Sequence, residues 1–244
     1  MASSVVEVES GGSGMQIHTY ATGGASKSPA VIVVQEIFGV TDHIRDVASR
    51  FASAGFVAAA PDLYHREGNG VTVAYDDAPT GMGLRGKLSA DDIKADVAAT
   101  IEYLKNQPNV DSDNIGIVGY CFGGFVSYLS AAEVPGITAA AIYYGGGILP
   151  RPDAPADAPR ILDQTADSIN VPMIGFWGAE DGGIPIVNVD AIESTLKGKG
   201  KDYESHTYAG AGHGFFCDNR DSYNEVAAKD AWARTLEFFK KHLS

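Results

Sequence analysis

Apolar residues along this chain follow two alternating rhythms. Short, nearly unbroken strand-forming runs recur at Ala30–Gln35, Phe56–Ala60, Ile115–Gly119, Ile137–Tyr143, Pro172–Trp177 and Tyr203–Tyr208, as expected of strands covered on both faces. Between them, apolar residues return every three or four positions. From Asp42 onward Ile44, Val47, Ala48 and Phe51 share one helical face, which Gly55 ends; Pro61 stops the strand that follows. Ser89 caps a helix bearing Ile93, Val97, Ile101 and Leu104 on one side. Further helices are predicted from Phe122 to about Ala132, over Ile186–Leu196, and in a closing segment with Trp232, Leu236 and Phe239. Strand–helix–strand units of this length require a mainly parallel twisted sheet with helices on both faces. Val5–Glu9 and Met15–Tyr20 precede the alternation, so residues 1–20 are read as antiparallel entry strands. The Pro- and Asp-rich residues 145–167 break it and are read as a surface excursion near the sheet's C-terminal edge. Without an internal repeat or a linker, the 244 residues are expected to form one α/β domain.

Charge narrows the function. Eighteen basic and 31 acidic side chains give a net charge of −13, which argues against nucleic acid as a partner because phosphate binding needs a concentrated basic surface. The same charge weakly repels anions, so an anionic substrate needs a local cation. The longest apolar runs, such as Ala30–Val34 and Val57–Ala60, fall far short of the roughly 18 residues that span a bilayer. With no basic, apolar leader at the start of the sequence, a cytoplasmic location is expected, away from membranes. Two cysteines without CxxC spacing point to neither a disulfide framework nor zinc. The run Gly145-Gly146-Gly147 lacks the pattern of a phosphate loop. No metal and no cofactor is therefore expected, and the oligomeric state is left as monomer or dimer.

One cysteine has an unusual setting. Gly119-Tyr120-Cys121-Phe122-Gly123 follows a predicted strand directly and opens a predicted helix. Most cysteines are simply small buried apolar residues. Here the strand, the flanking glycines and the helix together form the context of a nucleophile elbow, in which a strained turn lifts the central side chain above an α/β-hydrolase sheet. The helix N-terminus behind it favours a thiolate. A nucleophile needs a base and the base an orienting acid, in the order acid then histidine along such a chain. Asp181 lies in the turn Gly178-Ala179-Glu180-Asp181 that directly follows the strand Pro172–Trp177, with Glu180 as its rival and a plain turn carboxylate as the alternative for either. His213 sits in the turn Ala209-Gly210-Ala211-Gly212-His213-Gly214-Phe215 after the last strand. His18, His43 and His242 lack such a context, and His65 and His206 are read as surface residues.

With these residues in place, the chain resembles the dienelactone hydrolase (carboxymethylenebutenolidase) family of the α/β-hydrolase superfamily. The likeness rests on Gln35-Glu36-Ile37-Phe38-Gly39, Pro61-Asp62-Leu63-Tyr64, the Cys121 elbow continued by Gly124, Tyr143-Tyr144-Gly145, the Asp181 turn and Gly212-His213-Gly214-Phe215. These run in order from about residue 15 to the C-terminus. The resemblance implies hydrolysis of a lactone or small carboxylic ester through a thioester on Cys121, with His213 as base and Asp181 as orienting acid. It further implies that Glu36 hydrogen-bonds the resting thiol and helps take its proton when substrate arrives. Backbone N–H groups of Ile37 and Phe122 are expected to form the oxyanion hole. The sequence departs from the family where an arginine is expected four positions beyond the histidine, for Cys217 stands there. Arg220, with Arg85 from the segment Val71–Lys87 read as a loop, is the candidate cation for a substrate carboxylate, and Tyr144 a candidate for the pocket wall. The alternative for Arg220 is a surface pairing with Asp218 or Asp221. A general carboxylesterase or thioesterase, or a member that binds without catalysis, is the competing function.

Overall fold

A computed structural model of the chain describes residues 2–23 and 26–244. The chain begins with β1 (Ala2–Ser10) and β2 (Ser13–Ala21), then runs through β3 (Ser28–Val34), α1 (Asp42–Ser53), β4 (Val57–Pro61), α2 (Ala78–Gly86), α3 (Ala90–Lys105) and β5 (Val110–Tyr120). It continues with α4 (Phe122–Glu133), β6 (Ala139–Tyr143), α5 (Ile161–Thr165), β7 (Met173–Gly178), α6 (Ile186–Gly198), β8 (Tyr203–Tyr208) and α7 (Glu225–His242). The strands form one sheet in the order β1-β2-β4-β3-β5-β6-β7-β8. The entry strands β1 and β2 pair antiparallel, and β2 pairs antiparallel with β4. Every other pairing is parallel. No helix among the described residues is long and apolar enough to cross a membrane.

The two glycines of β5 show how the layers lie. Gly116 and Gly119 are three positions apart and so face opposite sides of the sheet. A side chain at Gly116 would strike Phe239 and Leu243 at the end of α7, whereas one at Gly119 would strike Gly123 of α4. On the first side Phe51 of α1 packs edge-on against Trp232 and Phe239 of α7, with ring centroids 4.7 and 5.9 Å apart. On the other, α3 lies beside α4, with Lys94 paired to Glu133 at 3.1 Å. Helices thus cover both faces, and β4, β6 and β7 are buried along their whole length.

Three expectations need correction. Residues 71–87 are not all loop. Asp77 caps α2 by accepting from the Thr80 N–H at 3.2 Å, with a proline in the first turn. Three glycines in the nine-residue helix hide its periodicity. The excursion 145–167 is not all surface: 151–160 is largely exposed, but Ile148, Leu149 and Leu162 are buried and Leu162 N–H returns to the Ile148 carbonyl at 3.0 Å. His65 is not a surface residue. It is buried beside Asp96 of α3, whose carboxylate accepts from Ser10 Oγ at 2.6 Å, His65 Nε2 at 3.1 Å and both terminal nitrogens of Arg66 at 2.8 and 2.9 Å.

That cluster ties β1 to α3 through a carboxylate with no exposed side-chain surface. A buried ion pair adds little relative to an apolar substitute, yet removing one partner strands the others and costs about 3–5 kcal/mol. Asp96→Ala is therefore expected to lower stability by that amount in denaturant titration. A loss below about 1 kcal/mol, the range of an exposed pair, contradicts the role assigned to the cluster.

Candidate active site

The turn between β5 and α4 holds one of the two non-glycine residues with positive φ among the described residues. Cys121 has φ 57° and ψ −115°, a region costly for any residue with a Cβ. The chain can make this turn because its neighbours lack side chains. A Cβ on Gly119 would lie 1.9 Å from the Gly123 carbonyl oxygen, and one on Gly123 would lie 2.5 Å from that of Val34. Cys121 N–H is held by the Tyr143 carbonyl at 3.0 Å. The thiol stands at the head of α4, where the first N–H groups have no intrahelical acceptor. Phe122 is the first residue of that helix.

His213 comes from the loop after β8 and Asp181 from the loop after β7. The imidazole Nδ1 lies 2.7 Å from Asp181 Oδ2. A carboxylate only accepts, so this nitrogen carries the proton and leaves Nε2 free for chemistry. Asp181 Oδ1 accepts from the N–H groups of Gly183 at 2.8 Å and Ile184 at 3.1 Å. The rival Glu180 is exposed. Burial disfavours charge on the His213 ring. Hydrogen bonds with Asp181 and with Cys121 more than offset it and raise His213 to about 10.

Glu36 follows β3 and has 1% side-chain exposure, so it is not a solvent-facing loop acid. Its Oε1 accepts from Arg220 at 3.1 Å, so the carboxylate is paired with an arginine in place of the thiol contact expected from the resemblance. The Arg220 guanidinium also sits over the rings of Phe38 at 5.3 Å and Tyr75 at 6.0 Å. Gly214 makes room for it, since a Cβ there would meet Arg220 at 2.3 Å. The alternative of a surface arginine is overturned: Asp218 instead meets Arg50 at 3.2 Å and His43 at 3.3 Å. Cys217 is buried, and burial, reinforced by the Glu36 charge, pushes its thiol up to about 11.

Cys121, His213 and Arg220 open into one cavity of about 520 Å³. Ile37, Phe38, Met82, Phe122 and Ile184 supply apolar walls, and Gly146 and Gly147 from the 145–167 segment line its rim. Arg85 reaches it from α2, lying over Phe122 and Phe125 at 5.6 and 5.8 Å. Tyr144 does not line it. The ring is fully buried with its centroid 5.1 Å from that of His213, so it backs the imidazole and is out of a ligand's reach. Tyr75 and Ile184 had no signal in the pattern of the sequence, because both lie in irregular segments. Among the described residues no group of three or more His, Cys, Asp and Glu side chains is arranged to hold a metal ion.

The description of the dienelactone hydrolase family matches residues 17–243. The chain belongs to this family. It is 41% identical over 218 residues to a Synechocystis protein named "Putative carboxymethylenebutenolidase", covering 88% of this chain and 87% of that one. It is 29% identical over 230 residues to the carboxymethylenebutenolidase of Rhodococcus opacus, covering 93% and 86%. A crystal structure titled "Putative Dienelactone Hydrolase" from Klebsiella pneumoniae superimposes with a TM-score of 0.88 at 32% identity, covering 98% of both chains. This member of the dienelactone hydrolase family has the α/β-hydrolase fold of that structure.

The Asp181–His213 bond has a pH signature. His213 is raised above its ordinary 6.5 to about 10. Stabilisation from its bound proton is complete below about 6.5 and is lost as pH rises through about 10. Asp181→Asn keeps an acceptor for Gly183 and Ile184 but removes the charge. The gap in melting temperature between wild type and this variant is expected to be largest below pH 6.5 and to close towards pH 10. A gap that does not change over that window contradicts the assignment.

Proposed function

We propose that this member of the dienelactone hydrolase family hydrolyses a small carboxylic ester or lactone by covalent catalysis on Cys121. The observation that carries the reading is His213 held between a buried, doubly anchored Asp181 and the Cys121 elbow at the floor of an apolar cavity. The Cys121 thiolate attacks the ester carbonyl carbon, forming a C–S bond as the carbonyl electrons move to oxygen. The oxyanion lies against the backbone N–H groups of Phe122 and Ile37. When it collapses, the C–O bond breaks and His213 gives its proton to the departing alkoxide; in a lactone the alcohol stays tethered. Water, deprotonated by His213, then attacks the thioester; the C–S bond breaks, releasing the carboxylic acid and the Cys121 thiolate and leaving His213 protonated for the next turnover.

The cavity also carries a reading of the substrate. Apart from Cys121 and His213, its lining is apolar except for two guanidinium groups, Arg85 and Arg220, in a protein of net charge −13. A compact apolar or unsaturated body with a carboxylate fits that pattern. The carboxylate docks on Arg220 at the expense of its bond to Glu36, which frees Glu36 to take up the Cys121 proton. Burial of the Arg220 pair makes this exchange sensitive to the substrate's charge.

Cys121→Ala is expected to fold normally by circular dichroism and to lose several orders of magnitude in rate. Wild type mixed with p-nitrophenyl acetate should gain one acetyl group, by intact mass, on the peptide containing Cys121. A folded variant retaining more than about a hundredth of the wild-type rate rejects Cys121 as nucleophile.

Arg220 decides between a carboxylate-selective lactonase and a general esterase. Losing one charged contact costs about 1.5–3 kcal/mol, so Arg220→Ala should lower kcat/KM for a carboxylate-bearing lactone by roughly ten- to a hundredfold more than for a neutral ester. Equal losses on both substrates favour the general esterase.

A further inference from the structure

Glu36 and His213 face opposite problems in losing a proton. His213 retains 31% side-chain exposure and opens onto the cavity, whereas Glu36 retains 1%. A proton placed on Glu36 must leave through the protein interior. Behind Glu36, four buried polar atoms have no hydrogen-bond partner among the described residues: Glu36 Oε2, His43 Nε2, Tyr120 Oη and Tyr144 Oη. Buried polar groups are ordinarily paired, so several orphans in one neighbourhood mark a place where internal water serves them.

The orphans belong together. The His43 and Tyr120 ring centroids are 6.2 Å apart, and those of Tyr120 and Tyr144 are 6.4 Å apart. The charge of Glu36 acts on all three rings, as the strongest electrostatic partner of both His43 and Tyr144. Their hydrogen-bonding chemistry is complementary as well. His43 Nδ1 lies 3.3 Å from Asp218 Oδ1, and because a carboxylate only accepts, Nδ1 carries the hydrogen and Nε2 is a bare acceptor. Glu36 Oε2 is an acceptor too. Two acceptors cannot bond each other, but a water molecule between them would donate to both and could accept from a tyrosine hydroxyl. Beyond His43 the chain reaches solvent, for Asp218 is 44% exposed.

We propose that His43 is a proton-relay residue, carrying the proton that Glu36 takes from Cys121 through internal water to Asp218 and bulk solvent. This rests on the hydrolase reading above and concerns the acylation step. The Cys121 S–H bond breaks with its proton passing to a Glu36 carboxylate oxygen. Glu36 passes a proton to water and that water one to His43 Nε2. His43 then releases its Nδ1 hydrogen to Asp218, which exchanges it with solvent. Each donor regains its starting charge when the ring returns to its first tautomer, and the net product is one solvated proton. The surroundings suit a neutral ring that carries charge only in transit. Burial, working against Glu36 and Asp218 and aided by Arg50, keeps His43 below its ordinary value. The groups facing Glu36 are Arg220 on one oxygen and Tyr144, Tyr120, Tyr75 and the Cys217 thiol around it. Burial, with the Glu36 charge adding to it, raises both Tyr120 and Tyr144, so these hydroxyls remain protonated donors.

The test uses the full chain and a carboxylate-bearing lactone, the substrate whose carboxylate releases Glu36 from Arg220; p-nitrophenyl acetate serves only to label Cys121. His43→Phe keeps an aromatic ring edge-on to Tyr120 and Phe216 but removes both nitrogens. Asp218→Asn, at the surface, removes the terminal proton acceptor and keeps an oxygen for His43. With the relay intact, proton departure is fast and the solvent deuterium isotope effect on kcat/KM is small. Both variants should lower kcat/KM, by about tenfold or more for His43→Phe, and both should raise the isotope effect as proton transfer becomes limiting. A lowered rate with an unchanged isotope effect shows a merely structural role and overturns the relay, as does wild-type behaviour in both. If His43→Phe does not fold, Asp218→Asn decides by the same two readouts. Wild type that forms no acetyl adduct on Cys121 overturns the hydrolase reading and the relay with it, whereas an active wild type with unaffected variants overturns the relay alone.

Discussion

Everything at the candidate site hangs on a close backbone approach. The turn at Cys121 brings Gly123 of α4 against the carbonyl of Val34 at the end of β3 and Gly119 against Gly123 itself. This contact sets α4 down on the sheet. It also puts the thiol above β5, between the loop that follows β3 and the loops that follow β7 and β8. Those loops carry Glu36, Asp181 and His213. The positive φ of Cys121 is the cost of that geometry. The parallel pairing of β5 with β3 and β6 offsets it by leaving the chain no other way out of the sheet.

A second consequence is electrostatic. The elbow lies over a floor that is apolar apart from a few titratable groups, so each charge there is felt strongly by its neighbours. Arg220 neutralises Glu36, and its planar guanidinium sits over the rings of Phe38 and Tyr75. An arginine keeps such a place better than a lysine, because the flat, weakly hydrated cation stacks on aromatic rings while donating sideways to a carboxylate. In a protein with net charge −13, a local cation fastened this way sets what the cavity attracts. The overall field does not.

Much of this was legible in the sequence because the signals were local. Buried parallel strands announce themselves as apolar runs, and G-x-C-x-G between a strand and a helix leaves few other readings. Chain order points to His213 and to an acid at Glu180 or Asp181; the choice of Asp181 comes from its 2.7 Å contact with His213. The misjudged residues are those whose state depends on contacts distant in sequence. His65 reads as an ordinary loop histidine until Asp96, 31 positions away, is beside it. Arg220 reads as the candidate cation of the pocket, yet a surface pairing stays open as its alternative because its partner Glu36 is 184 positions distant. Tyr144 fails for a different reason: adjacent strand-end tyrosines look equivalent in sequence, yet its backbone φ of 37° turns the ring inward behind His213. Helix α2 was missed because its glycines serve close packing, as where Gly81 meets the Ile37 carbonyl, and erase the period that reveals a helix.

Glu36 and Asp181 show how burial alone does not fix what a carboxylate does. Both have side chains 1% exposed. Asp181 receives two backbone N–H groups on one oxygen and the imidazole on the other, so both oxygens are spoken for. Glu36 has one oxygen on Arg220 and the other on no described residue. In the proposed mechanism the spare oxygen of Glu36 is where a proton is exchanged, whereas Asp181, with both oxygens bonded, holds the imidazole still. The division of labour between the two acids therefore follows from how many of their lone pairs the surrounding backbone has already claimed.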